Sequence, residues 1–403
     1  MKRMMAHNLW SMNTPEKFWL CEAAFEKSLW EKAIQQSLTT LRLSETPIDV
    51  DHLLELTLGE SQFGPDHWRL SRIRKLYYFL KPLLPRLLIR ILRRSLHRRH
   101  TLDFRLGWPI EARYPRFQFA VLKNLLELTG QTSIQFRALW PYGKRYAFVL
   151  THDVETDKGQ QFIRRVADLE ESLGFRSSFN FVPQGYHVDM KVVNELRQRG
   201  FEIGIHGLKH DGKLFGSRKE FERGAAKINQ CLMDFSAVGF RAPLTIRNPE
   251  WMQALDIEYD LSFFDTDPFE PIPGGTMSIW PFFLGRFVEL PYTLAQDYTL
   301  TSILNEKSPR LWLEKVDFLE KYCGMALLNA HPDYLQQKST WNIYYDFLIG
   351  MKERGGYWHA LPREVARWWK TRAGCRWDIL NEICNLTRVY LTQDSLGLDF
   401  ATT

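Results

Sequence analysis

Between residues 143 and 370, short apolar runs alternate with helical segments, and this alternation constrains the fold more than any other feature of the chain. The apolar runs are rich in aromatic and β-branched residues, and several helical segments end at a glycine, such as Gly174 or Gly200. Strands that alternate with helices form a parallel sheet with crossover helices on its faces. The sequence therefore predicts an α/β fold, with the sheet either open or closed as a barrel.

The apolar and amphipathic patterns also predict where the elements lie. We expect strands over 146–150, 177–182, 201–205, 238–240, 261–264, 287–290 and 325–329. We expect helices over 160–173, 190–199, 217–234, 248–255 and 309–322. The chain is thus predicted to have a mainly helical N-terminal region (1–142), a β/α region (143–370) and a helical tail (371–403).

A polar side chain stands at or just after the end of several of the predicted strands. These residues are Asp153, His206, Arg241, Asp265 and His331. The C-terminal ends of the strands of a β/α barrel form one face of the barrel, where active sites lie. Because five separate segments would converge on that face, the sequence predicts an active site there.

Two histidines and two acids at or near these strand ends have the composition of a metal site. His206 and His210 are one helical turn apart, so both rings would lie on one face if the strand runs into a helix. Asp153 and Glu155 supply carboxylates at the end of the first strand. Two histidines and one carboxylate leave coordination positions open for water and substrate. Each residue also has a purely structural interpretation. The histidines could be ordinary surface or core residues, and the acids could cap a helix or lie in its first turn.

His331 and Arg241 are the remaining candidates. A histidine at the end of a strand suits general acid catalysis near neutral pH, and a planar guanidinium suits the orientation of a carboxylate. Each also has a purely structural interpretation, as a histidine with a satisfied ring or as part of a salt bridge.

The order of these motifs resembles the polysaccharide deacetylase family, which has the NodB-homology fold and is carbohydrate esterase family four. The matching segments are Thr151-His152-Asp153-Val154-Glu155, His206-Gly207-Leu208-Lys209-His210, Arg241-Ala242-Pro243 and Leu328-Asn329-Ala330-His331. The last spacing is one residue longer than usual, and the flanking residues resemble a bacterial subgroup linked to surface polysaccharides. The resemblance implies a distorted (β/α) barrel over 143–370.

The acidic motif departs from the family pattern at one position. The usual motif has two adjacent aspartates, a base and a metal ligand, whereas Val154 follows Asp153 here. We therefore expect Asp153 to be the catalytic base and Glu155 to be the third metal ligand, beside His206 and His210. The opposite assignment of the two acids stays open.

The activity that the resemblance implies is metal-assisted hydrolysis of a carbon–nitrogen bond other than a peptide bond. The divalent ion would be zinc, or else cobalt, nickel or manganese. His331 would protonate the leaving amine, and Arg241 would hold Asp153 in place. The expected substrate is an acetylated carbohydrate. We expect the acetyl group to be on nitrogen, and the carbohydrate to be a bacterial surface polysaccharide or a glycolipid precursor. The alternative is a deacetylase-like barrel that binds carbohydrate without catalysis.

The segment 72–100 differs from the rest of the chain because it is rich in Arg and Lys and contains no acid. Its leucines fall largely on one helical face, a pattern that suits either an anionic membrane surface or packing on the barrel. The net charge of +6 over 403 residues is modest, so we expect no nucleic-acid partner. Without a long apolar run or a visible signal peptide, we expect a cytoplasmic protein that can touch the inner membrane face. The oligomeric state stays open.

Overall fold

A curled, largely parallel sheet forms the centre of the protein. The computed structural model describes residues 9–70, 104–374, 386–391 and 398–402. In chain order, the strands are β1 (Ser133–Arg137), β2 (Tyr146–Val154), β3 (Ser178–Phe181), β4 (Glu202–His206), β5 (Gly239–Arg241), β6 (Tyr259–Asp260), β7 (Phe282–Leu284), β8 (Phe287–Glu289), β9 (Met325–Ala330), β10 (Tyr357–His359), β11 (Leu386–Leu391) and β12 (Leu398–Thr402). The central sheet contains β2 to β10.

The order of the strands brings their C-terminal ends to one edge. Strands β2 to β6 lie side by side in chain order, and each pairs in parallel with the next. On one side β6 pairs in parallel with β8, which forms an antiparallel hairpin with β7. On its opposite edge β2 pairs in parallel with β9, while β10 pairs in parallel with the first residues of β2 on the same edge as β3. The predicted α/β fold is confirmed as a curled half-barrel surrounded by helices.

The helices connect the strands and surround the sheet. They are α1 (Pro15–Trp19), α2 (Lys27–Ser37), α3 (Val50–Thr57), α4 (Arg113–Thr129), α5 (Asp157–Leu173), α6 (Met190–Gln198), α7 (Arg218–Asp234), α8 (Pro249–Met252), α9 (Arg310–Lys321), α10 (Pro332–Leu335), α11 (Lys338–Arg354) and α12 (Pro362–Gly374). The side chains of Thr156, Asp189 and Ser217 accept a hydrogen bond from the first turn of α5, α6 and α7, respectively. These polar caps fix where the crossover helices begin.

The N-terminal region packs directly on the half-barrel. The Phe18 ring lies 4.9 Å from the Trp280 ring, and the buried Arg247 of the half-barrel forms a bidentate ion pair with Glu60. The helices α1 to α4 agree with the mainly helical region that was predicted before the sheet. The buried side chains of both regions belong to one continuous hydrophobic core.

The C-terminal tail contains strands where helix was predicted. Strand β11 pairs antiparallel with β1 and with β12, so the tail forms a second, three-stranded sheet with the end of the N-terminal region. The predicted helical tail over 371–403 is therefore wrong over 386–391 and 398–402. The run Leu-Thr-Arg-Val-Tyr-Leu favours a strand through its β-branched and aromatic residues, and the edge of β1 supplies its hydrogen-bonding partner.

The predicted strand over 261–264 is also wrong, since β6 ends at Asp260. The Asp260 carboxylate accepts hydrogen bonds from the Ser262 hydroxyl (2.7 Å) and from the Ser262 N–H (3.2 Å). These local hydrogen bonds compete with the backbone hydrogen bonds between strands, so the strand ends early. Asp265, which was expected at the active-site face, instead forms a buried ion pair with Lys315 (2.7 Å).

The predicted basic amphipathic helix over 72–100 lies outside the described residues. Its contact with an anionic membrane stays a prediction, as does the expected cytoplasmic location. Among the residues that the structure describes, there is no helix with the length and apolar character needed to cross a membrane.

A buried carboxylate in β4 makes the stability of the fold depend on pH. Glu202 accepts hydrogen bonds from the Tyr259 hydroxyl (2.9 Å) and from the Arg363 N–H (3.1 Å). Burial raises the pKa of Glu202 to about 7, whereas a glutamate in the unfolded chain titrates at about 4.3. The stabilisation that comes from the protonated form is therefore complete below about pH 4.3 and is lost as the pH rises through about 7.

We predict that Glu202→Gln stabilises the protein at high pH and has a much smaller effect at low pH. The amide can keep both contacts without carrying a charge. The free energy of unfolding should rise by on the order of 2 kcal/mol at about pH 8, and the gain should shrink towards pH 5. Urea denaturation of both proteins at the two pH values measures this. An equal effect at both would contradict the assignment.

Candidate active site

Asp153 lies at the centre of the predicted site, at the C-terminal end of β2. Its Oδ1 accepts hydrogen bonds from Arg241 Nη1 (3.0 Å) and Asn180 Nδ2 (3.0 Å), and its Oδ2 accepts one from Asn329 Nδ2 (2.9 Å). Burial raises the pKa of this carboxyl, but the Arg241 guanidinium, together with the neighbouring histidines and the Asn180 amide, outweighs burial and holds the pKa well below its usual range. The carboxylate is therefore ionised and fixed in one orientation.

Arg241 is itself buried, and its guanidinium has several acceptors. Its Nε donates to the Leu261 carbonyl (2.8 Å), and its Nη1 also donates to Asn329 Oδ1 (2.5 Å) and to Thr151 Oγ1 (3.1 Å). A buried guanidinium needs such acceptors, because each unsatisfied donor would be costly in the interior. Asn329 therefore bridges the two charged partners by contacting both.

The sequence analysis assigned no function to Asn180 and Asn329, which lie inside strands rather than after them. Each is a polar residue in an otherwise mostly apolar buried strand, β3 and β9 respectively. A buried amide needs hydrogen-bond partners, so a lone asparagine in such a run is the signal that could have found both.

Glu155, His206 and His210 place one potential ligand atom each within 4.8 Å of one another. His210 Nε2 lies 3.1 Å from Glu155 Oε1. With its proton on Nδ1, His206 donates to the Arg241 carbonyl (3.1 Å). In the part of the chain that the structure describes, the buried Nε2 of His206 has no hydrogen-bond partner.

This arrangement fits a divalent cation. A histidine that ligates a metal commonly donates its other ring N–H to a carbonyl or carboxylate, as His206 does here. Burial lowers the pKa of His206 to about 4, so the ring is neutral at pH 7, and the neutral ring is the form that binds metals. The three residues could therefore hold a cation, with Asp153 Oδ2 lying 4.0 Å from His206 Nε2.

His210 lies on a loop and not on the helix that was considered for the His206–His210 pair. Strand β4 ends at His206, and Gly207 follows with a φ of 64°. A Cβ on Gly207 would lie 2.4 Å from Pro243 Cγ, so both the backbone conformation and the close approach require glycine. The turn still brings the two imidazole rings to 5.2 Å.

His331 is held by Asp297, which the sequence analysis missed. His331 Nδ1 lies 2.7 Å from Asp297 Oδ1, and the His331 backbone N–H donates to Asp297 Oδ2 (2.9 Å). Burial lowers the pKa of His331, but Asp297, together with the carboxylates of Glu155 and Asp153, outweighs burial and raises the pKa to about 10. Asp297 does not directly follow a strand, so the rule of polar residues at strand ends could not find it.

The structure brings together six of the seven residues that were predicted at the active-site face, all except Asp265. His331 Nε2 lies 4.0 Å from Asp153 Oδ2 and 3.9 Å from Glu155 Oε1. The side chains of His210 and Glu155 are 23% and 21% exposed, whereas those of Asp153 and His331 are 4% and 5% exposed. A ligand in solution would therefore approach from the side of Glu155 and His210.

Comparison with known proteins finds similar solved structures, while no family model and no curated protein matches the chain. One is a putative polysaccharide deacetylase from Mycobacterium smegmatis, at 16% identity and a TM-score of 0.49 over 59% of this chain and 94% of the other. A second is a probable polysaccharide deacetylase from Pseudomonas aeruginosa, at 14% identity and a TM-score of 0.48 over 60% and 96%. A third is Puue allantoinase, at 14% identity and a TM-score of 0.46 over 58% and 93%.

The chain resembles polysaccharide deacetylases in fold. The family that its motifs resemble is thus represented among the solved structures that it is similar to. The same set contains an allantoinase. A shared fold does not determine an activity, which depends on the residues of the site.

The ion pair of Asp153 and Arg241 can be tested through stability. Arg241→Met keeps much of the side-chain volume but leaves a buried carboxylate without its cation, so we predict a loss of about 3–5 kcal/mol in the free energy of unfolding. The loss should be clearly smaller in an Asp153→Asn background, where Arg241→Met leaves no unpaired carboxylate at position 153. Urea denaturation of the four proteins measures the coupling.

Lys315→Met is the matched control, because its buried partner is Asp265. Its cost should be the same with aspartate or asparagine at position 153. A cost of Arg241→Met that is likewise independent of position 153 would show that the two charges are not coupled.

Proposed function

We propose that this protein is a metal-dependent hydrolase that removes an acetyl group from a carbohydrate. The observation that carries this proposal is the cluster of Glu155, His206 and His210 beside a second acid, Asp153, and a protonated imidazole, His331. A cation site, a base and an acid are the three groups that metal-assisted hydrolysis of an acetyl group requires.

Glu155, His206 and His210 would hold the cation. Zinc suits two imidazoles and one carboxylate, and cobalt, nickel or manganese are alternatives. When bound, such an ion polarises an acetyl carbonyl and lowers the pKa of a water molecule. Asp153 is less suited to be the third ligand, because both of its oxygens already accept hydrogen bonds from Arg241 or an asparagine.

Asp153 would accept the proton of the attacking water. Its Oδ2 lies 4.0 Å from both His206 Nε2 and His331 Nε2, so this oxygen borders the centre of the cluster. Arg241 and the two asparagines hold its orientation throughout the reaction. The oxygen of the water then bonds to the acetyl carbon as its proton passes to Asp153.

His331 would donate the proton that the leaving group needs. The Asp297 carboxylate holds its Nδ1 side, which leaves the Nε2 proton facing the cluster. As the carbon–nitrogen bond breaks, this proton passes to the nitrogen, and the products are acetate and an amine. An amine cannot leave as an anion, so hydrolysis of an N-acetyl group needs a proton donor such as His331. We therefore propose an N-acetyl sugar as the substrate.

The finer substrate assignment rests on sequence alone. The residues that flank the motifs resemble a bacterial subgroup linked to surface polysaccharides, so we propose an acetylated surface glycan or its precursor. A carbohydrate-binding module without catalysis is the second candidate. Val154 favours it, because it occupies the position of the second aspartate of the usual motif.

Metal binding separates these candidates without any assumption about the sugar. We predict near-stoichiometric zinc in the purified protein, and its loss in the double variant His206→Ala/His210→Ala. Glu155→Gln should weaken binding by at least about tenfold, whereas Asp153→Asn should retain most of the affinity. Elemental analysis and titration against a chelator measure both quantities.

The double variant His52→Ala/His187→Ala is the matched control, since both histidines lie outside the cluster. It should bind zinc as the wild type does. Zinc that stays bound without His206 and His210, or a wild type that takes up no zinc, cobalt, nickel or manganese, would exclude the proposed site.

Acetate release from a panel of N- and O-acetylated oligosaccharides tests the catalytic roles. We predict that His331→Gln and Asp153→Asn each lower the rate by roughly 10²–10⁴-fold, which is the usual contribution of a general acid or base. Zinc content should be measured on the same samples, because both variants should still bind the ion. Full activity in His331→Gln would refute its role as the acid.

A further inference from the structure

Asp333 contacts the backbone that carries Glu155. Its Oδ2 accepts a hydrogen bond from the Glu155 N–H (3.1 Å), and its Oδ1 accepts one from the Thr156 hydroxyl. Gly159 leaves room for this carboxylate, because a Cβ at that position would lie 2.2 Å from Asp333 Oδ2. The Asp333 side chain therefore fills the space over the junction between β2 and α5.

We propose that Asp333 is a positioning residue that holds Glu155 where it can bind the divalent cation. The inference rests on the proposed function, in which Glu155 is the carboxylate ligand. A glutamate has one more rotatable bond than the aspartate of the usual motif, so its carboxylate is less constrained by the end of a strand. Fixing the backbone N–H of Glu155 holds the point on the backbone from which this longer side chain has to reach the cation.

The turn from β9 to α10 contacts Glu155 in two ways. His331 faces the Glu155 carboxylate, with Nε2 3.9 Å from Oε1, and Asp333 holds the Glu155 backbone. Pro332 lies between them and fixes its own φ angle, which limits how far the two contacts can move apart. On the other side of the junction, the Tyr186 hydroxyl donates to the Val154 carbonyl (2.7 Å). The backbone before and at Glu155 is thus held from both directions.

A purely structural role for Asp333 is the alternative. An acid near the N-terminus of α5 stabilises that helix whether or not it acts on Glu155. Asp157 provides the matched comparison, because it lies in the first turn of the same helix. Its carboxylate accepts hydrogen bonds from the side chains of Gln160 (3.2 Å) and Gln161 (2.7 Å).

The experiment is a titration with Zn²⁺ or Co²⁺ alone, in the absence of substrate. Asp333→Ala and Asp157→Ala are each prepared in the wild type and in Glu155→Gln. We expect Asp333→Ala to weaken affinity by roughly 10–100-fold and Asp157→Ala to change it by no more than about twofold. In the Glu155→Gln background, Asp333→Ala should cause no further loss, because the ligand on which it acts is gone.

Gly159→Ala is a second variant that keeps the charge of Asp333 and displaces its carboxylate. Alanine has a higher helix propensity than glycine, so the substitution by itself should stabilise α5. A loss of metal affinity would therefore not come from a weakened helix. We expect weaker metal affinity together with an altered visible spectrum of the Co²⁺ protein. The unfolding temperature of each metal-free variant shows whether it is folded at the temperature of the titration.

The possible results separate this inference from the function on which it rests. The inference is overturned if Asp333→Ala binds the ion as the wild type does, or loses the same affinity with and without Glu155. In both cases the metal site itself stands. A wild-type protein that binds no ion would overturn the proposed function and this inference together.

Discussion

The whole arrangement of the site depends on one buried ion pair, Asp153 with Arg241. Their side chains are 4% and 1% exposed, and two such charges are stable in the interior only when hydrogen bonds satisfy their remaining polar atoms. Asn180, Asn329 and Thr151 supply these bonds. Because the five residues come from β2, β3, β5 and β9, the network fixes the C-terminal ends of four strands relative to one another.

The same network separates the environments of the two acids and positions the histidines. Asp153 is engaged by fixed donors, whereas Glu155 is a partly exposed carboxylate next to His210. Arg241 also contributes its backbone carbonyl, which accepts a hydrogen bond from the Nδ1–H of His206 and so turns Nε2 towards the cluster. One arginine therefore holds the proposed base through its side chain and a proposed ligand through its backbone. The resulting site combines a neutral imidazole with a protonated one. Burial keeps His206 neutral, and the carboxylate of Asp297 helps to keep His331 protonated.

The sequence was sufficient for those features that follow from one segment at a time. The alternation of strands and helices predicted the fold, and the rule of polar strand ends predicted that Asp153, His206, Arg241 and His331 lie together, as they do in the structure. It was wrong for Asp265, because the turn of Asp260 and Ser262 ends β6 early. Asp297 and Asp333 could not be assigned, since their roles depend on contacts with residues 34 and 178 positions away. The strands of the tail likewise require the edge of β1, which belongs to a distant part of the chain.

The central claim is that Glu155, His206 and His210 form a cation site beside an unligated Asp153. Anomalous diffraction at the zinc edge, from crystals of the zinc-loaded protein, tests it most directly. The account predicts one zinc peak at about 2.0–2.2 Å from the Glu155 carboxylate and from one ring nitrogen of each histidine, with Asp153 beyond bonding distance. A zinc ion bonded to Asp153 in place of Glu155, or no zinc between the two histidines, would contradict it.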